Sequence, residues 1–232
     1  MKSIVVGIVL AALAFVAGPR IEAQAQDLQQ KLAAAKASAA ANQKALRSYS
    51  WMEKTEISLK GEVKSTKVDS CRYGPDGKVV KTPVVEPPPP EKKRGLRGKI
   101  VAKKTGEMKE EMEAAVALIQ QYVPPSADLM QVVMNAGTAS LSQAGPGFAA
   151  LKFPGYVKKG DALTLTFESA VKTLHQIEVN TWLDEPANAV NLKVTMQAVP
   201  DGTSYPGSIV FSLPKSQIEV RVTKSNYQKL AQ

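Results

Sequence analysis

Between Gly160 and Tyr227 apolar and polar residues alternate through successive runs separated by turn residues. Leu163, Leu165 and Phe167 share one face, with Thr164, Thr166 and Glu168 on the other. Ile177 and Val179 follow, then Val190, Leu192, Val194 and Met196, then Ile209, Phe211 and Leu213, and last Ile218, Val220 and Val222. A period of two demands strands with one buried and one wetted face, and strands joined at hairpin distances make an antiparallel sheet. Asp184-Glu185-Pro186, Pro200-Asp201-Gly202 and Leu213-Pro214 supply the turns. Whatever covers the apolar face of this sheet decides what the protein can hold.

The first half of the chain supplies both more sheet and candidate covers. Met1-Lys2-Ser3 precedes an uncharged apolar run, Ile4–Ala17, and Ala23-Gln24-Ala25 has the small-x-small pattern of a cleavage site. Residues 1–25 therefore read as an export signal, with 26–232 as a single mature domain and the periplasm as its compartment. No cysteine follows the cleavage pattern, so no lipid anchor is expected. Cleavage lowers the net charge of +9 by one. In such a compartment a basic surface suits anionic headgroups or acidic envelope partners, and ordinary solubility charge accounts for it equally well.

Asp27 caps an expected helix to about Leu46, whose stripe of Leu28, Leu32, Ala35, Ala39 and Leu46 is thin. Arg47–Lys60 and Glu62–Tyr73 read as strands, and Gly74-Pro75-Asp76-Gly77 as a hairpin turn leading to a third strand, Lys78–Val85. Pro87–Pro90 and the cations behind it, including Lys92, Lys93, Arg94 and Arg97, read as an inserted basic loop over 86–104. The loop has no aromatic residue for base stacking, so nucleic acid is not expected; an anionic surface or plain solvent fits. A helix from Thr105 or Gly106 to about Tyr122 carries Met108, Met112 and Ile119 on its apolar stripe. Ser126 then caps a short helix that Gly137 ends, and Gly145-Pro146-Gly147 and Phe153-Pro154-Gly155 mark an irregular return to the sheet. Helix, three strands, two helices and at least five strands make an α+β architecture.

Catalytic chemistry finds little to work with. His175 is the one histidine and Cys71 the one cysteine, so a Cys/His pair, a multi-histidine metal cage and an internal disulfide have no material. His175 falls in register with Ile177 and Val179, as a core histidine would. Cys71 stands in a strand beside Arg72, a neighbour able to lower a thiol pKa slightly, but it reads first as a structural or incidental residue. Adjacent acids at Glu110-Glu111 and Asp184-Glu185 point apart on a helix or strand, so neither forms an acid/base couple. No enzyme, metal or cofactor is expected. The residues alone leave two choices: an ordinary filled core, or an apolar cavity whose Met-bearing covers adapt to variable ligands.

Tyr205-Pro206-Gly207-Ser208-Ile209-Val210-Phe211, then Ile218–Thr223 and Ser225-Asn226-Tyr227, together with Arg47-Ser48-Tyr49-Ser50-Trp51 leaving the first helix, resemble the LolA/LolB-like periplasmic lipoprotein carriers and receptors. The resemblance covers nearly all of the mature chain in architecture and only these short pieces in sequence. It implies a curved antiparallel sheet, an unclosed half β-barrel, with helices over its concave apolar face. It also implies an acyl chain of a lipid or lipoprotein held there, and an envelope transport partner. Face assignment gives the expected lining as Tyr49, Trp51, Ile57, Leu165, Phe167, Ile177, Val179, Leu192, Val194 and Met196, faced by Met108, Met112 and Ile119. No arginine matches the lid-locking arginine of those carriers, and the Pro-rich basic insertion has no counterpart in them.

Overall fold

The computed structural model describes residues 41–84, 96–170 and 173–230, with backbone only for 96–105. Residues 41–232 form one compact unit. Helical residues 41–46 (α1) lead into β1 (Tyr49–Leu59), β2 (Glu62–Tyr73) and β3 (Val79–Pro83). Two helices follow, α2 (Leu96–Ile119) and α3 (Ala127–Asn135). The remaining strands are β4 (Ser140–Gly145), β5 (Phe148–Pro154), β6 (Ala162–Glu168), β7 (Thr173–Trp182), β8 (Ala189–Ala198), β9 (Ser204–Leu213) and β10 (Ile218–Lys229).

All ten strands lie in one antiparallel sheet of order β3-β2-β1-β10-β9-β8-β7-β6-β5-β4, unclosed, with β3 and β4 as its edges. The β1–β2 hairpin turns on Lys60 and Gly61 at φ 56° and 79°, the pair of left-handed residues a two-residue turn of matching twist requires. β3 and β4 are thus opposite edges of the sheet, and the two helices α2 and α3 lie between them in the chain.

The strands expected over Arg47–Lys60, Glu62–Tyr73 and Lys78–Val85 appear as β1, β2 and β3, each at those bounds or slightly shorter, and the Ser126-capped helix is present. Leu129 N–H donates to Ser126 Oγ at 3.4 Å, and Gly137 follows α3 at φ 69°. Two expectations need correction. Residues 96–104 of the expected basic loop are helical: lysine and arginine are good helix formers, and Gly98 and Gly106 cost only about 1 kcal/mol each in a helix interior. The return through 140–154, expected to be irregular, is a hairpin, β4–β5, with a bulge between Gln143 and Gly145 and with Pro146 and Gly147 as its turn.

Most of the core lies on one face of β5–β10. Leu163, Leu165, Ile177, Val179, Val190, Leu192, Val194, Phe211, Leu213 and Ile218 are buried in a single cluster with Ala115 and Ile119 of α2, Tyr122, and Val133 of α3. Each such large side chain contributes about 1.5–3 kcal/mol by leaving water. A second, smaller cluster gathers Leu46, Tyr49, Val199 and Tyr205.

Candidate ligand-binding face

The sheet register turns the alternation into rows that cross the strands. One row runs Ile57–Val220–Phe211–Leu192–Val179–Leu163–Phe153 from β1 through β10, β9, β8, β7 and β6 to β5. Exposure is graded along it: Phe153 is 1% and Leu163 0% exposed, Val220 is half-buried, and Ile57 is 38% exposed. A parallel row, Thr55–Val222–Ile209–Val194–Ile177–Leu165–Leu151–Leu141, is buried in its middle and opens at both ends. An apolar face thus continues from a closed region over β5–β8 to a half-wet region on β10 and β1.

Within the expected lining, Leu165, Ile177, Val179, Leu192, Val194 and Ile119 are brought together as buried core. Phe167, Met196, Met108 and Met112 pack at the margin of that cluster, half-buried. Ile57 stands at the open end. Tyr49 and Trp51 belong elsewhere. Tyr49 joins the smaller cluster, and Trp51 stacks on Tyr227 at 5.5 Å and 9°, with Tyr73 tilted against it at 5.3 Å. A bulge places Tyr227 there: Asn226, in the left-handed region at φ 54°, adds a residue to β10 opposite Trp51. Of the expected anionic contacts, Lys92, Lys93 and Arg94 lie outside the described residues, and Arg97 lies on the first turn of α2.

His175 is not on the apolar face as expected. A bulge between the β6 and β7 partners Thr166/Gln176 and Phe167/Leu174 leaves His175 unpaired and hands the inward position to Leu174. The imidazole meets the Phe148 ring at 4.6 Å instead. Nor is the Cys71 thiol pKa lowered: burial raises it, and Glu53 adds to the rise.

Two polar clusters on these elements were not foreseen. Glu53, 4% exposed, lies opposite Asp69 on β2 and Lys224 on β10 in the register. Its carboxylate accepts from Lys81 Nζ and has Lys224 Nζ at 3.9 Å. Burial lowers the Lys224 pKa despite that carboxylate, whereas at Lys81 burial's downward pull is outweighed by Glu53 and the pKa is raised. Asp69, 1% exposed, has Lys67 Nζ at 3.0 Å, without the alignment of a hydrogen bond. The signal was in the sequence: Glu53 shares the parity of Trp51 and Ile57, so a charge on that face needs a buried partner.

The second cluster ties the α2–α3 junction to the sheet. Buried Tyr122 donates to Asp161 Oδ2, which also accepts from the backbone N–H groups of Val157 at 3.1 Å and Lys158 at 2.8 Å. Thr181 Oγ1 lies 2.8 Å from the same hydroxyl. Burial first, then the Asp161 hydrogen bond, raises the Tyr122 pKa far above the usual phenol range. Nearby, Ser126 N–H donates to Tyr156 Oη at 2.6 Å, so the segment after α2 is held at two points.

Among the described residues no group of three His, Cys, Asp or Glu side chains is placed to hold a metal ion, and no helix is long and apolar enough to cross a membrane. An open groove of about 430 Å³ lies at the β1–β2 and β9–β10 turns, lined mostly by polar residues such as Ser58, Lys60, Ser212, Gln217 and Glu219, with core residue Ile218 at its wall. No protein-family model matches the chain, and neither a curated protein nor a solved structure matches it.

Proposed function

We propose that this protein is a non-enzymatic carrier of the cell envelope, exported to the periplasm, that holds an acyl chain of a lipid or lipoprotein against the apolar face of its unclosed sheet. In this reading the sheet is curved, and α2 and α3 lie over its concave side as a movable cover. The observation that carries the proposal is the graded row from Leu163 to Ile57. An apolar face that ends half-exposed at Ile57, Leu59 and Val220 costs free energy in water unless something apolar lies on it. Met108, Met112 and Met196 pack half-buried at the margin of the core cluster, and their flexible thioether side chains can move aside for an apolar chain more cheaply than branched residues. The closed part of the face, from Leu165 to Val194, anchors the cover, and the ligand enters at the β1–β10 end. Native mass spectrometry of the protein taken from an exporting host without detergent tests this. Copurifying lipid masses support the carrier; a protein without bound lipid that also takes up none when offered it refutes the reading.

The filled state of the face over β5–β8 favours a second reading, an envelope adaptor that contacts anionic surfaces through the 86–104 segment. That protein would bind anionic vesicles in a salt-dependent way and carry no lipid.

A further inference from the structure

We propose that Lys224 is the head-group contact of the ligand-binding face, pairing with the anionic end group of an acyl-chain ligand, a carboxylate or a phosphate. This inference rests on the carrier reading and names the class of ligand which that reading leaves open. The position comes from the register. Ile57, Thr55 and Glu53 follow one another at the inward parity of β1, opposite Val220, Val222 and Lys224 of β10. The two columns are apolar at the end where the ligand enters and charged four residues further on, with Thr55 and Val222 half-buried between. Four residues of strand rise about 14 Å, close to the roughly 15 Å that one leaflet contributes to the hydrocarbon core of a bilayer. An acyl chain laid along Ile57 and Val220 would therefore bring its polar end to Lys224.

The charges around Lys224 leave it one partner short. Glu53 accepts from Lys81, and Asp69 has Lys67 Nζ at 3.0 Å, so three ammonium groups share two carboxylates. Cys71, whose thiol pKa is raised, adds no negative charge. Lys224 Nζ has three protons to donate and only Glu53 Oε2 at 3.9 Å and the face of the Trp51 ring at 5.6 Å. Among the described residues it donates no hydrogen bond. The indole N–H of Trp51 is likewise buried without an acceptor. Lys67 and Lys81 are about half exposed and can turn to water, whereas only 17% of the Lys224 side chain is open. A largely buried ammonium without a hydrogen bond is costly, and an anion brought to it supplies both the acceptor and the missing charge. Burial holds its pKa below the ordinary lysine value, the direction expected of an ammonium short of anionic partners.

Titration calorimetry of delipidated protein with laurate, dodecyl phosphate and dodecanol tests it, because the three share one chain and differ only in the head. The wild-type protein should bind at least one of the two anions about tenfold or more tightly than the alcohol. Whichever anion binds more tightly identifies the source, a free fatty acid or a phosphate-bearing lipid. Lys224→Met should bring that anion down to the level of the alcohol. Lys224→Gln, which keeps a donor and drops the charge, gives the same reading should the Met variant fail to fold. Lys193→Met, at an exposed position of the opposite parity on β8, removes the same charge and should keep the preference. Equal binding of all three ligands by the wild type overturns this inference and leaves the carrier reading standing, as does a preference that persists in a folded Lys224 variant. Binding of none of them overturns the carrier reading and this inference with it.

Discussion

Tyr122 gives its hydroxyl hydrogen to the buried carboxylate of Asp161 and accepts from Thr181 across 2.8 Å, linking the end of the helical crossover to the β5–β6 loop and to β7. If α2 moves to admit a ligand, this is the point about which it is held.

Tyr122→Phe removes the donor and leaves a buried Asp161 oxygen with one partner fewer. The expected cost is about 1–3 kcal/mol of unfolding free energy. Urea denaturation followed by circular dichroism measures it. A change below a few tenths of a kcal/mol would mean that the link holds nothing in place.

Glu53→Gln should cost on the order of 2 kcal/mol, because it leaves the largely buried ammonium of Lys224 without its carboxylate. Lys81, about half exposed, turns to water instead. The paired change Glu53→Leu with Lys224→Met should recover most of that loss, since a well-packed apolar pair replaces a desolvated ionic one. Equal losses in the single and paired variants would show that packing, not charge, governs the site.

Tyr49 donates to Asp201, and with the bonds from Thr203 this holds the carboxyl pKa at about 2, against an ordinary 3.8. A depressed acid stabilises the fold only when ionised. That contribution is therefore complete above about pH 4 and is lost as pH falls through about 2. Tyr49→Phe should raise the acid-unfolding midpoint, and the stability gap between variant and wild type should narrow as the pH falls through that window. A gap of constant size down to the lowest pH would assign the loss to the ring's packing.

Gly160 has φ 95°, and a Cβ there would lie 2.9 Å from Trp182 Cη2. Gly160→Ala should destabilise by more than about 1 kcal/mol, through backbone strain and displacement of the indole. At Gly202, φ 85°, a Cβ meets nothing within 4 Å, so Gly202→Ala carries the backbone cost alone. Thermal unfolding of the two variants separates strain from clash, and a larger loss at Gly202 would contradict the assignment.

Strands whose pattern has a strict period were legible. Leu163, Leu165 and Phe167, or Val190, Leu192 and Val194, announce one face because each strand buries one side and wets the other. The hairpin β4–β5 was not, because Ser140–Gly145 is an edge with no buried residue and so has no apolar rhythm to betray it. His175 was misassigned for a related reason: a bulge resets parity, and nothing in Leu174-His175-Gln176 marks where the extra residue falls. Tyr49 and Trp51 share a parity with Ile57, but strand pairing delivers them to an aromatic stack with Tyr73 and Tyr227 that one strand's pattern cannot reveal. The Tyr122–Asp161–Thr181 link joins residues far apart in sequence, each of which reads alone as an ordinary helix-end, turn or strand residue.

The most direct test of the carrier reading is the uptake of a fluorescent long-chain fatty acid by delipidated protein, comparing wild type with Ile57→Asp and Met112→Glu. Ile57 is 38% exposed and Met112 half-buried, so both variants should fold. Saturable uptake by the wild type, lost in both variants with their circular dichroism unchanged, is the predicted result. No uptake by the wild type, or equal uptake by all three proteins, would contradict the account.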